Sequence, residues 1–103
     1  MALKTHLVAF FTKAIDDPKI GTAHISLYLA IVSLWQQQGG KSPLLLFSKA
    51  VMKTAKIASS ATYVRLMKAL CEGGYLAYEP SYYKGIPSKI HVLSLTAENT
   101  AQS

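Results

Sequence analysis

The stretch SKAVMKTAKIASSATYVRLMKALCEGGYLAYEPSYYKGIPSKIHV, positions 48–92, decides how this chain folds. Its spacing predicts a short helix over Ser48–Thr54, a tight link over Ala55–Ala58 and a longer helix over Ser60–Glu72. Ser48 stands where a hydroxyl caps the first helix, and Ser59 and Ser60 stand at the start of the second. Gly73-Gly74 breaks that second helix. Two β-type runs follow, Tyr75–Glu79 and Lys89–Leu95. In the first, Leu76 and Tyr78 alternate with Tyr75 and Ala77, and Ile90 and Val92 resume the alternation in the second. Pro80 stops ladder pairing, and the tip between the runs carries Tyr82, Tyr83, Lys84 and a turn glycine, Gly85.

Phased at 100° per residue, the longer helix gathers Tyr63, Val64, Met67, Leu70 and Cys71 on a wide apolar side, with Leu66 at its edge. Ala61, Arg65, Lys68 and Glu72 line the opposite side, with Thr62 and Ala69 on its flank. Two helices at a sharp angle followed by a hairpin are the plan of a winged helix-turn-helix, whose second helix enters a DNA major groove. The fold class expected is therefore α+β, mainly α with a small β-hairpin, preceded by two N-terminal helices. Ala61, Thr62, Arg65 and Lys68 would meet the groove. The hydroxyls and free N–H groups at Ser59 and Ser60 would meet a phosphate.

Upstream, Leu3–Asp16 has helical spacing, with Leu3, Leu7, Phe10, Phe11 and Ala14 on one face, and Asp17-Pro18 ends it. Thr22 is placed to cap a helix that runs to about Gln38 and stops at Gly39-Gly40. Leu27, Ile31, Leu34 and Trp35 form one apolar face of that helix, and Ile25, Leu29 and Val32 form another. Thr22, Ser26, Ser33 and Gln37 leave it a narrow polar stripe. A helix so apolar is buried over most of its circumference, and a chain of 103 residues has little to surround it with. The first helix or a second copy is then expected to cover the far side, which motivates a homodimer through the two N-terminal helices. Leu44–Phe47 is a strand-type run expected to pair beside the hairpin. One domain over residues 1–95 and a small polar tail over 96–103 complete the plan.

Charge narrows the function. The net charge is +6, and Lys19, Lys41, Lys49, Lys53, Lys56, Arg65 and Lys68 all lie between Pro18 and Cys71. The five acids, Asp16, Asp17, Glu72, Glu79 and Glu98, all fall outside that window. A long basic stretch free of carboxylates favours a polyanion, and phosphate is the commonest one. Lys49, Lys53 and Lys56 are the candidates for flanking phosphates, and Tyr82, Tyr83 and Lys84 for the neighbouring backbone or minor groove.

Other chemistry finds little footing. No Gly-rich phosphate loop or G-x-S-x-G is present, and five carboxylates leave few acid–base candidates, so no enzyme is expected. Nothing recommends a Cys71/His91 dyad. His6, His24 and His91 lie on separate elements without ligand spacing, so neither metal nor cofactor is expected. No small-molecule pocket is legible. The most membrane-like window, Ile20–Trp35, is interrupted by polar residues and too short to span. One cysteine and no secretory pattern point to a reducing cytoplasm.

Several runs add a resemblance. Ala23-His24-Ile25-Ser26-Leu27-Tyr28, Lys56-Ile57-Ala58-Ser59 into Thr62-Tyr63, Gly74-Tyr75-Leu76 and Tyr78-Glu79-Pro80-Ser81 resemble small bacterial winged-helix proteins. Those are transcriptional regulators or replication-associated proteins, often on mobile elements, and the likeness covers roughly residues 10–92. It implies duplex DNA binding and a regulator's role. The alternatives are a protein–protein interaction module or a replication or recombination accessory subunit. Ala58 departs from the pattern, where glycine is usual, and so does Ala61, where a polar residue such as Asn is common. Asn reads adenine through two hydrogen bonds, whereas alanine touches a thymine methyl.

Overall fold

The computed structural model of the chain describes residues 2–41, 43–79 and 85–93, with side chains from Leu7 onward. Within them lie α1 (Ala2–Ala14), α2 (Thr22–Gln37), β1 (Leu44–Leu46), α3 (Ser48–Ala55), α4 (Ser60–Glu72), β2 (Leu76–Glu79) and β3 (Ser88–Val92). The result is a mixed α+β arrangement of helices and a small antiparallel sheet. Tyr82, Tyr83, Lys84 and the tail over 96–103 lie outside the described residues.

The sheet follows from period-two alternation. Strand order is β1-β3-β2, with Leu44 opposite Ile90 and Leu76 opposite Val92. Those four side chains are buried, while Leu45 and Lys89, paired on the other face, are exposed. Leu44–Leu46 thus pairs beside the hairpin, as the sequence led one to expect.

Around the inner face of the sheet, one continuous core draws residues from every element. Helix α2 supplies Leu27, Tyr28, Ala30, Ile31, Val32 and Trp35 to it. Each fully buried large apolar side chain stabilises by about 1.5–3 kcal/mol. Helices α3 and α4 both pack on α2, and Phe10 of α1 stacks on Tyr28 at 3.9 Å between centroids. Helix α1 thus covers part of α2 from within the chain, while Leu29 of α2 stays 37% exposed. The amphipathic reading of α1 is corrected: Phe10 and Ala14 are buried, but Phe11 points outward.

Three helices end in the same way. Gly40 N–H reaches Trp35 O and Gly39 N–H reaches Gln36 O; Tyr75 N–H reaches Leu70 O and Gly74 N–H reaches Cys71 O. Between them, Ile57 N–H reaches Met52 O at 2.9 Å and Lys56 N–H reaches Lys53 O at 3.3 Å. This 6→1 and 5→2 pairing is the Schellman motif, which needs one left-handed residue. Gly39 (φ 95°) and Gly74 (φ 81°) supply it without strain, but α3 uses Lys56 at φ 63°. The starts are less as expected: Gly21 caps α2 and Phe47 caps α3, so Thr22 and Ser48 are first helical residues. Ser59 does cap α4, its Oγ accepting from Thr62 N–H.

Two stability changes follow. A left-handed L-residue costs about 1–2 kcal/mol, and glycine gives back roughly 0.5–1 kcal/mol of that in chain entropy. Lys56→Gly should therefore raise the urea midpoint by the equivalent of about 0.5–1 kcal/mol; a lower midpoint would remove the strain argument. The Tyr28 hydroxyl is buried with no partner among the described residues, and burial pushes its pKa up to about 12. An unsatisfied buried hydroxyl costs about 1–3 kcal/mol, so Tyr28→Phe should stabilise by about 1 kcal/mol in the same titration.

Candidate nucleic-acid interface

The site is built on α4. Tyr63, Leu66, Met67 and Leu70 are its buried residues, at three- and four-residue spacing. That pattern turns Ala61, Arg65, Lys68 and Glu72 outward, and all four are exposed. Two assignments from the sequence change. Leu66 is fully buried rather than at an edge, and Val64 is 60% exposed. Val64 thus joins the outward face, a methyl-bearing side chain within one turn of Ala61 and Lys68. Helical phase put it at the border of the apolar arc, and only the placement of neighbouring helices decides such a border.

At the start of α4, Ser59 has extended backbone (φ −100°, ψ 127°) and its Oγ takes the Thr62 N–H. The N–H groups of Ser60 and Ala61 belong to the first turn, where no intrahelical acceptor exists. Both residues are exposed, and Thr62 is half-buried. An anion approaching this turn meets N–H dipoles without a nearby carboxylate side chain on the helix, because Glu72 lies at its far end.

Helix α3 carries Lys49 and Lys53 one turn apart, both exposed, and Val51 and Ala55 face the core. Lys56 follows at the left-handed end of the helix and is exposed too. The end of α3 is pinned by Ser26 of α2, whose Oγ donates to Ala55 O at 2.9 Å. Helix α2 thus packs against both cationic helices and sets their mutual placement.

Its first turn also reaches the site. His24 Nδ1 accepts from Gly21 N–H at 3.0 Å, which assigns the proton of the neutral ring to Nε2. Burial lowers the His24 pKa below the ordinary 6.5, and the charge of Arg65 lowers it further. Arg65 is therefore close enough for its field to act on the start of α2. Lys13, by contrast, is exposed but engaged within the chain: its Nζ donates to Gly73 O and lies 4.4 Å from the Tyr75 ring centroid.

Cys71 is half-buried and its pKa is raised, chiefly by burial and then by Glu72, which leaves a poor nucleophile. Tyr63 is buried, as a core residue should be, with its pKa raised by burial first and Tyr78 next. His91 pairs with Glu79 at 3.1 Å on the sheet's outer face. Among the described residues, no group of three or more His, Cys, Asp or Glu is placed to hold a metal, and no helix is long and apolar enough to cross a membrane.

Compared with known proteins, the chain matches no family model, no curated protein and no solved structure.

The His24 environment predicts a pH dependence. Its folded-state pKa lies below the ordinary 6.5, so the unfolded chain takes up the proton first as pH falls. Stability is then full above 6.5 and declines below it. Asp17, lowered chiefly by the Lys19 backbone N–H and then by the Tyr75 hydroxyl, acts from 3.8 downward. Denaturant midpoints between those two values should fall with pH in the wild type and fall less in His24→Gln. Equal slopes would contradict the assignment.

Proposed function

We propose that the chain is a winged helix-turn-helix protein that binds duplex DNA, with α4 in the major groove and the β2–β3 hairpin as the wing. One observation carries the reading. Helix α4 buries a full face and turns Ala61, Val64, Arg65 and Lys68 outward, within a stretch that has no carboxylate from position 18 to 71. The order α2, β1, α3, α4, β2, β3 with the sheet order β1-β3-β2 agrees with that plan.

A major groove about 12 Å wide admits one helix. In it, Arg65 donates two hydrogen bonds to guanine O6 and N7, and Ala61 and Val64 touch thymine methyl groups. Lys49, Lys53, Lys56 and Lys68 neutralise phosphates. The Ser59–Ser60 turn offers its N–H groups to one more. Tyr82, Tyr83 and Lys84, outside the described residues, are the sequence's candidates for the adjacent backbone.

A transcriptional regulator of a bacterial cytoplasm is the role this reading gives. The DNA fragments it selects from a genomic pool separate that role from replication or recombination. The protein-interaction alternative relies in part on the outer face of α2, where Leu29, Ser33, Gln36 and Gln37 are exposed, and a duplex-binding assay separates the two readings.

Binding of about four to six phosphates gives a slope of log affinity against log salt of roughly −4 to −5 per protomer. Lys53→Ala should weaken every sequence alike and reduce that slope by about one. Arg65→Ala should relax preference at one base pair, by about 1–3 kcal/mol. Fluorescence anisotropy across a salt series checks all three, and a salt-independent affinity would end the proposal.

A further inference from the structure

We infer that the α1–α2 hairpin is a docking surface for a second copy of this chain, separate from the cationic face of α3 and α4. The two helices meet where Phe10 stacks on Tyr28, and Leu7 lines the same groove as Val32 and Gln36. Along the outward side of α1, Val8 is 58% exposed, Phe11 44% and Ile15 83%. Their spacing of three and four residues stacks them into one ridge. Beside the ridge lies an open groove of about 480 Å³, lined by Leu7, Leu29, Val32, Ser33, Gln36 and Gln37. An apolar ridge and an apolar-floored groove on one hairpin are self-complementary. A two-fold axis lets each ridge fill the partner's groove.

Charge and length select this occupant over others. The hairpin and its turn carry three lysines, Lys4, Lys13 and Lys19, against two aspartates, Asp16 and Asp17. Lys13 is turned onto Gly73 O and the Tyr75 ring. The surface is thus close to neutral in a chain of net charge +6, so two copies meet here with little repulsion, and an anionic partner gains little. The chain's own C-terminal residues 94–103 contain one large apolar side chain, Leu95, too little to cover the ridge. A stable dimer buries about 800 Å² per partner. A face two helices wide and roughly 20 Å long has a flat footprint of about 400–500 Å², so the ridge must enter the groove to approach that area.

Sedimentation equilibrium of the full chain, without DNA, tests this. The wild type should be dimeric by about 100 μM, and Phe11→Glu or Ile15→Glu should weaken association at least about tenfold. Ile15 is so exposed that its substitution should leave the thermal melt of the fold unchanged. Val64→Glu, an exposed apolar change on α4, should leave the dimer constant as it was. A monomeric wild type, a dimer indifferent to both α1 variants, or equal weakening by Val64→Glu would each overturn the inference. Because DNA takes no part, the outcome is independent of the groove-binding reading.

Discussion

Three aromatic rings hold the arrangement together. Phe10 lies parallel to Tyr28 at 3.9 Å and meets Tyr75 edge-on at 5.3 Å, and Tyr28 and Tyr75 complete the triangle at 6.4 Å. They join α1, α2 and the residue between α4 and β2, three places far apart in sequence. Ring pairs of this kind contribute about 0.5–1.5 kcal/mol beyond the area they bury. Tyr75 is also tied at its rim. Its hydroxyl donates to Asp17 Oδ2 at 3.0 Å, Lys13 lies over its face, and burial first, then Asp17, pushes its pKa up to about 12. A ring so fixed leaves no room beside it: a Cβ at Gly73 would lie 2.6 Å from Tyr75 Cε2. Gly73 is therefore needed for space, and Gly74, at φ 81°, for conformation. The exit angle of α4 depends on both.

That anchoring sorts the lysines. Lys13 satisfies the last turn of α4 from outside, a cation at the negative end of the helix dipole. Lys49, Lys53, Lys56, Arg65 and Lys68 are all exposed and on two helices that share α2 as their support. A bond such as Ser26 Oγ to Ala55 O therefore sets where cations stand without carrying charge itself.

Much of this was legible in the sequence because it is local. Gly39-Gly40 and Gly73-Gly74 mark helix ends through glycine's left-handed freedom, and the alternation in 75–79 and 89–92 marks strands. Residues at the border of an apolar arc were not legible. Val64 and Phe11 were phased inward, yet both face out, since periodicity gives the width of a face but not where its neighbours stop. Long-range contacts such as Lys13 to Gly73 O and Tyr75 to Asp17 leave no trace in spacing. The caps at Gly21 and Phe47 escaped because neither is a hydroxyl residue. Within the candidate site, Arg65, Lys68 and the α3 lysines came from charge pattern plus phase, and both survive folding.

The turn between α3 and α4 joins these points. The left-handed residue of this turn is Lys56, two positions before Ala58. Ala58 therefore needs no special freedom. Lysine at 56 is the unfavourable choice for the backbone, because glycine fits that conformation without strain. It is the favourable choice for charge, because it adds an exposed cation to Lys49 and Lys53. The chain thus holds this left-handed non-glycine residue where a lysine side chain is exposed to solvent rather than packed.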